Sequence, residues 1–345
     1  MRTLCLLLAP VALAAACSEL PPERFTFLDR LRVLGVRAEP LSLNAEVEGA
    51  LSVLAFDPDG VRTEETSWSW CPYKTLSRDL YQCPVQRPRY IEMLRQGAQR
   101  FELELGDEFF ERLPPFDLGV GASVTWQHTY DEGALTALCF LTLLATLDAD
   151  RSLQEHLHDF PCEVGFELDI IAEVEASSGA SLRARKSAFW GPGALDAPMR
   201  NPELLPLERW VRGAWVEEPA GELVVQADAP LQWRLRIPID SLDPYLQDFD
   251  PDRPDPDPRL EGVFALWYTT LDGFAEEVTP FAFDPEQPDV VFAQNTFSLE
   301  GEAGRVALEE ACPDVGEVCR VQLAVVIQDE QAGISWRVRT LEVER

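Results

Sequence analysis

The sequence predicts an all-β protein organised as two β-sandwich domains, and three observations carry that expectation. Short apolar runs with period-two alternation recur along the chain, each bounded by Gly, Pro, Asp or Ser. Both halves hold a Trp-bearing strand early and a Gly-turned hairpin late, a weak internal repeat. Six cysteines beyond the N-terminal leader fall in three close pairs, as in disulfide-stapled exported domains.

The first element is that leader. Arg2 precedes the uncharged run LCLLLAPVALAAA, whose small residues end at Cys17. A charged start, a short apolar stretch and a small-residue site read as an export signal. The stretch is shorter than the ~20 residues a spanning helix needs. A cysteine directly after small residues resembles the lipobox of bacterial lipoproteins, which are cleaved before the cysteine and acylated on its thiol. The third residue before Cys17 is Ala14, where such boxes most often hold Leu. The expectation is a lipoprotein signal peptide over 1–16 with lipidation at Cys17. Ser18, in place of Asp, points to the outer membrane. A tether over 17–29 follows, and its reach of at most ~40 Å holds the body close to the membrane, at its periplasmic face or the cell surface.

The first β-sandwich is expected over 30–190. RLRVLGVRAEP reads as its first strand, and Val47, Leu51, Val53 and Ala55 alternate up to the turn DPDG. TSWSWCP places Trp68 and Trp70 on one face of a strand. FELDIIAEVEASSGASLRARKSAFW reads as a hairpin turning at Ser177, Ser178 and Gly179. One stretch breaks the pattern: 134–160 carries Leu and Ala at helical spacing without Gly or Pro, a helical insertion broken near Asp148. Residues 191–206 are Gly- and Pro-rich and form the linker. The second sandwich, 207–345, contains LQWRLRIPI, VFALWYTTL with Trp267, and a last hairpin turning near Gly333.

Charge and cysteine usage narrow the partners. A formal charge of −31 repels nucleic acid, so nucleic acid is excluded as a partner. With 46% hydrophobic residues the chain can nonetheless bury true cores. Spacing pairs Cys71 with Cys83, Cys139 with Cys162, and Cys312 with Cys319, although six cysteines allow many connectivities. Zinc is the rival use, but no CxxC pair or finger-spaced histidine is present.

RLRVLGVRAEP, DPDG, WSWCP, RNPEL and VVIQDEQAGISW together resemble a group of uncharacterised lipoproteins of myxobacteria and related bacteria. The resemblance covers most of the chain as scattered short signatures. It implies immunoglobulin-like β-sandwich domains behind a lipobox, and it implies no activity.

Candidate chemistry is sparse. His156 and His158 in QEHLHD could ligate a metal in a loop, but on a helix positions two apart point to nearly opposite sides. His128 in VTWQHTY reads as a surface or edge-strand residue. Asp250, Asp252 and Asp255 in DFDPDRPDPDP are candidate calcium ligands, while alternating Pro and the missing EF-hand Gly and Glu favour a solvated loop. No GxSxG, Walker A, HExxH or dinucleotide fingerprint is present. Nine tryptophans invite a sugar-stacking platform, against core packing beside disulfides. The resulting expectation is a non-catalytic, cofactor-free interaction or structural module, anchored by lipid, whose partner is another envelope protein or a glycan. The alternatives are a glycan-binding surface module and a secreted hydrolase or metal-dependent enzyme.

Overall fold

The computed structural model describes residues 27–43, 48–58, 60–146, 162, 166–191, 201–218, 222–226, 229–242, 244–245, 259–260, 262–271, 273–284, 287–312, 318–329 and 333–344. The fold is mostly β, with several antiparallel sheets. The first half holds β1 (Arg32–Glu39), β2 (Ser42–Leu43), β3 (Gly49–Phe56), β4 (Ser67–Cys71), β5 (Asp117–Val120), β6 (Ser123–Trp126), β7 (Phe166–Glu175) and β8 (Ser181–Trp190). Helices α1 (Arg87–Arg100) and α2 (Asp107–Glu111) lie between β4 and β5, and α3 (Glu132–Thr146) between β6 and β7.

Two sheets, β2-β8-β7-β4-β5 and β1-β3-β6, face each other across one apolar cluster. Alternation decides which residues enter it: Trp68 and Trp70 from β4, and Leu168 and Ile170 from β7. Four tryptophans are buried here. Trp70, Trp126 and Trp190 meet edge to face, with centroids 5.2–5.5 Å apart and planes at 83–86°. That arrangement sets the positive ring edge on the negative ring face. The β1-β3-β6 layer is narrow, and helices help to cover the large aromatic core. α1 supplies Tyr90 and Leu94, α3 supplies Leu135, Leu138 and Leu141, and the Tyr90 and Thr142 hydroxyls join at 2.6 Å.

The second half holds β9 (Glu208–Val211), β10 (Ala214–Glu217), β11 (Glu222–Gln226), β12 (Leu231–Pro238), β13 (Pro244–Tyr245), β14 (Arg259–Leu260), β15 (Val263–Thr269), β16 (Val278–Pro280), β17 (Ala282–Phe283), β18 (Val290–Phe297), α4 (Gly301–Ala311), β19 (Cys319–Asp329) and β20 (Ile334–Glu344). Sheets β11-β20-β19-β15-β16 and β10-β9-β12-β18-β17 sandwich a second cluster. It is mainly aliphatic around Trp233 and Trp267. β12 and β15 alternate into it, whereas β19 is buried on both faces, with Leu323, Val325 and Ile327 in this core and Ala324 and Val326 in a separate cluster.

The two halves repeat one connection order. β2-β8-β7-β4-β5 corresponds to β11-β20-β19-β15-β16, and in each the outermost strand pairs parallel with the end of the terminal hairpin. β1-β3-β6 corresponds to β9-β12-β18. α3 and α4 occupy the same place, before the terminal hairpin. The helix over Glu132–Thr146 therefore has a counterpart, and the segment without one is the β4–β5 connection with α1 and α2. The strand pattern does not announce these two helices, although Tyr90, Leu94 and Ala98 of α1 recur at the helical spacing i, i+4, i+8 and are its buried face. The remainder of 134–160, beyond Thr146, lies outside the described residues.

Disulfides join Cys71 to Cys83, Cys139 to Cys162 and Cys312 to Cys319, the nearest-neighbour pairs. The first staples the β4–β5 connection at its start. The other two each tie the helix preceding a terminal hairpin to the approach of that hairpin.

Candidate functional site

Among the described residues, the most elaborate polar construction lies where the two halves meet. β1 runs beside β8 and β20 there. Its pairing with β3 shifts between Val33 and Gly35, a bulge that leaves Leu34 unpaired and re-aims it. Leu34 is then buried with Leu28, Ala324, Val326 and Ile334 in a third apolar cluster, separate from both cores. Gly35 follows because a Cβ at that position would sit 2.7 Å from Ile334 Cδ1. The hairpin of the second half thus approaches the backbone of the first directly.

A polar seam flanks this cluster. Asn201 donates through Nδ2 to Ala38 O at 2.7 Å and Glu39 Oε2 at 2.8 Å, and its Oδ1 accepts from Ile334 N at 2.9 Å. One side chain thereby ties β1, the connecting segment and β20. Ser335 Oγ donates to Pro202 O, and Arg337 Nη2 to Leu204 O. Ahead of β1, Leu28 N donates to Thr269 O at 2.9 Å, so this segment too is held by the second half. A cleft of about 430 Å³ opens beside the seam, lined by Arg37, Glu39, Asp240, Trp336 and Arg337 among others.

Lys186 lies at the same junction. It pairs with Ile170 on β7 and shares the face of β8 that carries Ala188 and Trp190 into the core. Only 7% of it is exposed. Burial pulls its ammonium down to about 8, and the Asp329 carboxylate of the second half raises it again in part. Asp329 Oδ1 accepts from Gly333 N, closing the turn between β19 and β20. Burial also pushes the Tyr268 hydroxyl upward.

A second construction covers the outer face of β12 and β9. Glu208 accepts from Arg234 at 2.7 Å and Arg236 at 2.8 Å, and Asp284 stands 3.7 Å from Arg234. The Arg234 guanidinium lies 4.7 Å over the Trp215 ring. Trp215 pairs across the β9–β10 hairpin with Trp210, which is 43% exposed. Arg212 and Gly213 form that hairpin's two-residue turn, both with positive φ.

The other residues singled out from the sequence fall as follows. Cys17, His156, His158, Asp250, Asp252 and Asp255 lie outside the described residues. His128 is half-buried; its Nδ1 accepts from Tyr130 N at 3.3 Å, and its ring meets Trp190 at 5.3 Å. Among the described residues, no group of three His, Cys, Asp or Glu could hold a metal ion. Trp68, Trp70, Trp126, Trp190, Trp233 and Trp267 are buried, and the Trp210 and Trp215 rings meet at 65° rather than coplanar. Periodicity gave no notice of the junction. Three of the quoted signatures do meet there, however: RLRVLGVRAEP, RNPEL and VVIQDEQAGISW contribute Gly35, Asn201, Asp329 and Ile334.

No protein-family model matches the chain, and no curated protein matches it in sequence. Among solved structures it is similar to three N-terminal domains of the bacteriophage RB49 outer capsid protein Hoc, at 8% identity and a TM-score of 0.20. The match covers 91% of this chain and 59% of that one. Red sea bream transglutaminase matches at 11% identity and a TM-score of 0.24, over 92% of this chain and 32% of the other. A bacterial ice-binding adhesin matches at 10% identity and a TM-score of 0.19, over 92% and 66%. The chain thus spans about three fifths and one third of the first two.

Proposed function

We propose that this chain is a lipid-anchored cell-envelope protein in which two immunoglobulin-like β-sandwich domains act as a non-catalytic interaction or structural module. Cys17 carries the anchor, at the outer membrane, and the partner is another envelope protein. The observation that carries this reading is the fixing of Leu28 against the second half by Thr269 and the junction cluster. Eleven residues after the anchor, the chain is already part of a body that joins both halves, which is held within about 40 Å of the bilayer. The repeated connection order supports the two-domain reading, and the three disulfides suit an oxidising compartment.

A glycan-binding module is the second reading, favoured by the exposed Trp210 beside Trp215, although rings at 65° offer no flat platform to a sugar. The test of the principal reading is Cys17→Ala. The variant is expected to lose palmitate labelling and to leave the membrane fraction. A variant that still labels and still sediments with membranes sinks the lipoprotein reading.

A further inference from the structure

The chain holds 29 basic residues, and only Lys74 and Lys186 among them are lysines. Lys74 is exposed, whereas Lys186 is buried at the junction. An arginine there would keep its charge at any pH the protein meets, whereas a buried lysine can give up its proton and become a nucleophile.

The surroundings of Lys186 are those of a site. A half-open cavity of about 300 Å³ lies between the edges of β1 and β8 and the last hairpin of the second half. Lys186 lines it together with Val33, Val36, Ala184, Gln328 and Ile334. Arg185 and Ser187 line it too, so its walls mix apolar side chains with polar groups, and they bring no second lysine or cysteine to compete for an electrophile. We propose that Lys186 is a covalent binding site for small aldehydes, which enter this cavity and condense with its amine.

The condensation balances without any further reactant. The amine lone pair attacks the carbonyl carbon, and the new C–N bond forms as the C=O π bond opens to a carbinolamine. Both amine hydrogens then leave with the carbonyl oxygen as water, and the product is an imine. When it takes up a proton, the iminium stands opposite the Asp329 carboxylate, which already acts on the lysine ammonium. Desolvation supplies the neutral amine in quantity near pH 8, which is what the attack requires. The adduct occupies space between β1, β8 and the second-half hairpin, so its formation bears directly on the contact between the halves.

The test uses the full chain, with propanal as the probe and cyanoborohydride to convert the imine into a stable secondary amine. Peptide mass spectrometry then reads the alkylation of Lys186 and Lys74 separately. At pH 8, Lys186 is expected to react about ten-fold faster than Lys74, the gain of a desolvated amine over an exposed one. Lys186→Arg should remove the fast adduct and leave that at Lys74 unchanged. Equal rates at the two lysines would overturn the proposal, as would alkylation of Lys186 only in urea. The competition within the parent protein decides the matter even if the variant folds poorly.

Discussion

The two halves share a connection order and differ in how they cover it. In the first, a three-stranded layer faces a core of edge-to-face tryptophans, and α1 and α3 extend the cover. In the second, β10 and β17 widen the corresponding layer to five strands over a mainly aliphatic core. Both halves put ion pairs on the outer face of a sheet, Arg183 with Glu173 and Arg185 with Asp169 in the first, Glu208 with Arg234 and Arg236 in the second. One topology therefore accepts two solutions to the same problem, large rings capped by helices or small side chains capped by strands. Core volume and covering layer change together, since interiors tolerate few voids.

The strongest way to probe this contrast is Trp70→Ala. Trp70 meets Trp126, Trp190, Tyr90 and Phe116, and its Nε1 donates to Pro115 O. Its removal is expected to cost about 4 kcal/mol. In urea unfolding followed by tryptophan fluorescence, the transition of the first half should move to lower denaturant. A shift of the whole protein by the same amount would instead show that the junction welds the halves into one cooperative unit.

Next in size is Glu208→Ala. It leaves Arg234 and Arg236, both mostly buried, without their shared carboxylate, a loss of about 3 kcal/mol. The expected result is destabilisation of the second half, with the first-half transition unmoved. An unchanged urea midpoint would mean that the network is solvated and contributes nothing.

The smallest effect is a pH dependence at the junction. The folded-state pKa of Lys186 lies below its unfolded value of 10.5. Below about pH 8 both states hold the proton, and the burial penalty is fully present. Between pH 8 and 10 the unfolded state binds more protons, so stability rises with pH, by about 2 kcal/mol. Lys186→Met should lose that rise and be the more stable protein at pH 7. Parallel pH profiles for the two proteins, measured by thermal unfolding, would show that Lys186 is solvated.

What the sequence determined by itself was local. Period-two alternation located TSWSWCP, LQWRLRIPI and VFALWYTTL as strands, because side chains on a strand must take alternate faces. Short spacing paired the cysteines, because nearby thiols close small loops at little entropic cost. The helix Glu132–Thr146, which overlaps the start of the 134–160 stretch, was legible from Leu and Ala at helical spacing.

Tertiary structure decided the rest. A bulge at Leu34, a glycine that admits Ile334, and an asparagine bonded to a residue 133 positions away have no local signature. Arg185 and Lys186 are neighbours in sequence, yet Arg185 reaches Thr75 O while Lys186 is buried where Asp329 of the second half acts on its ammonium. The pleat sends them to opposite faces, and Lys186, on the face that enters the first-half core, becomes a buried amine only because tertiary packing covers that face.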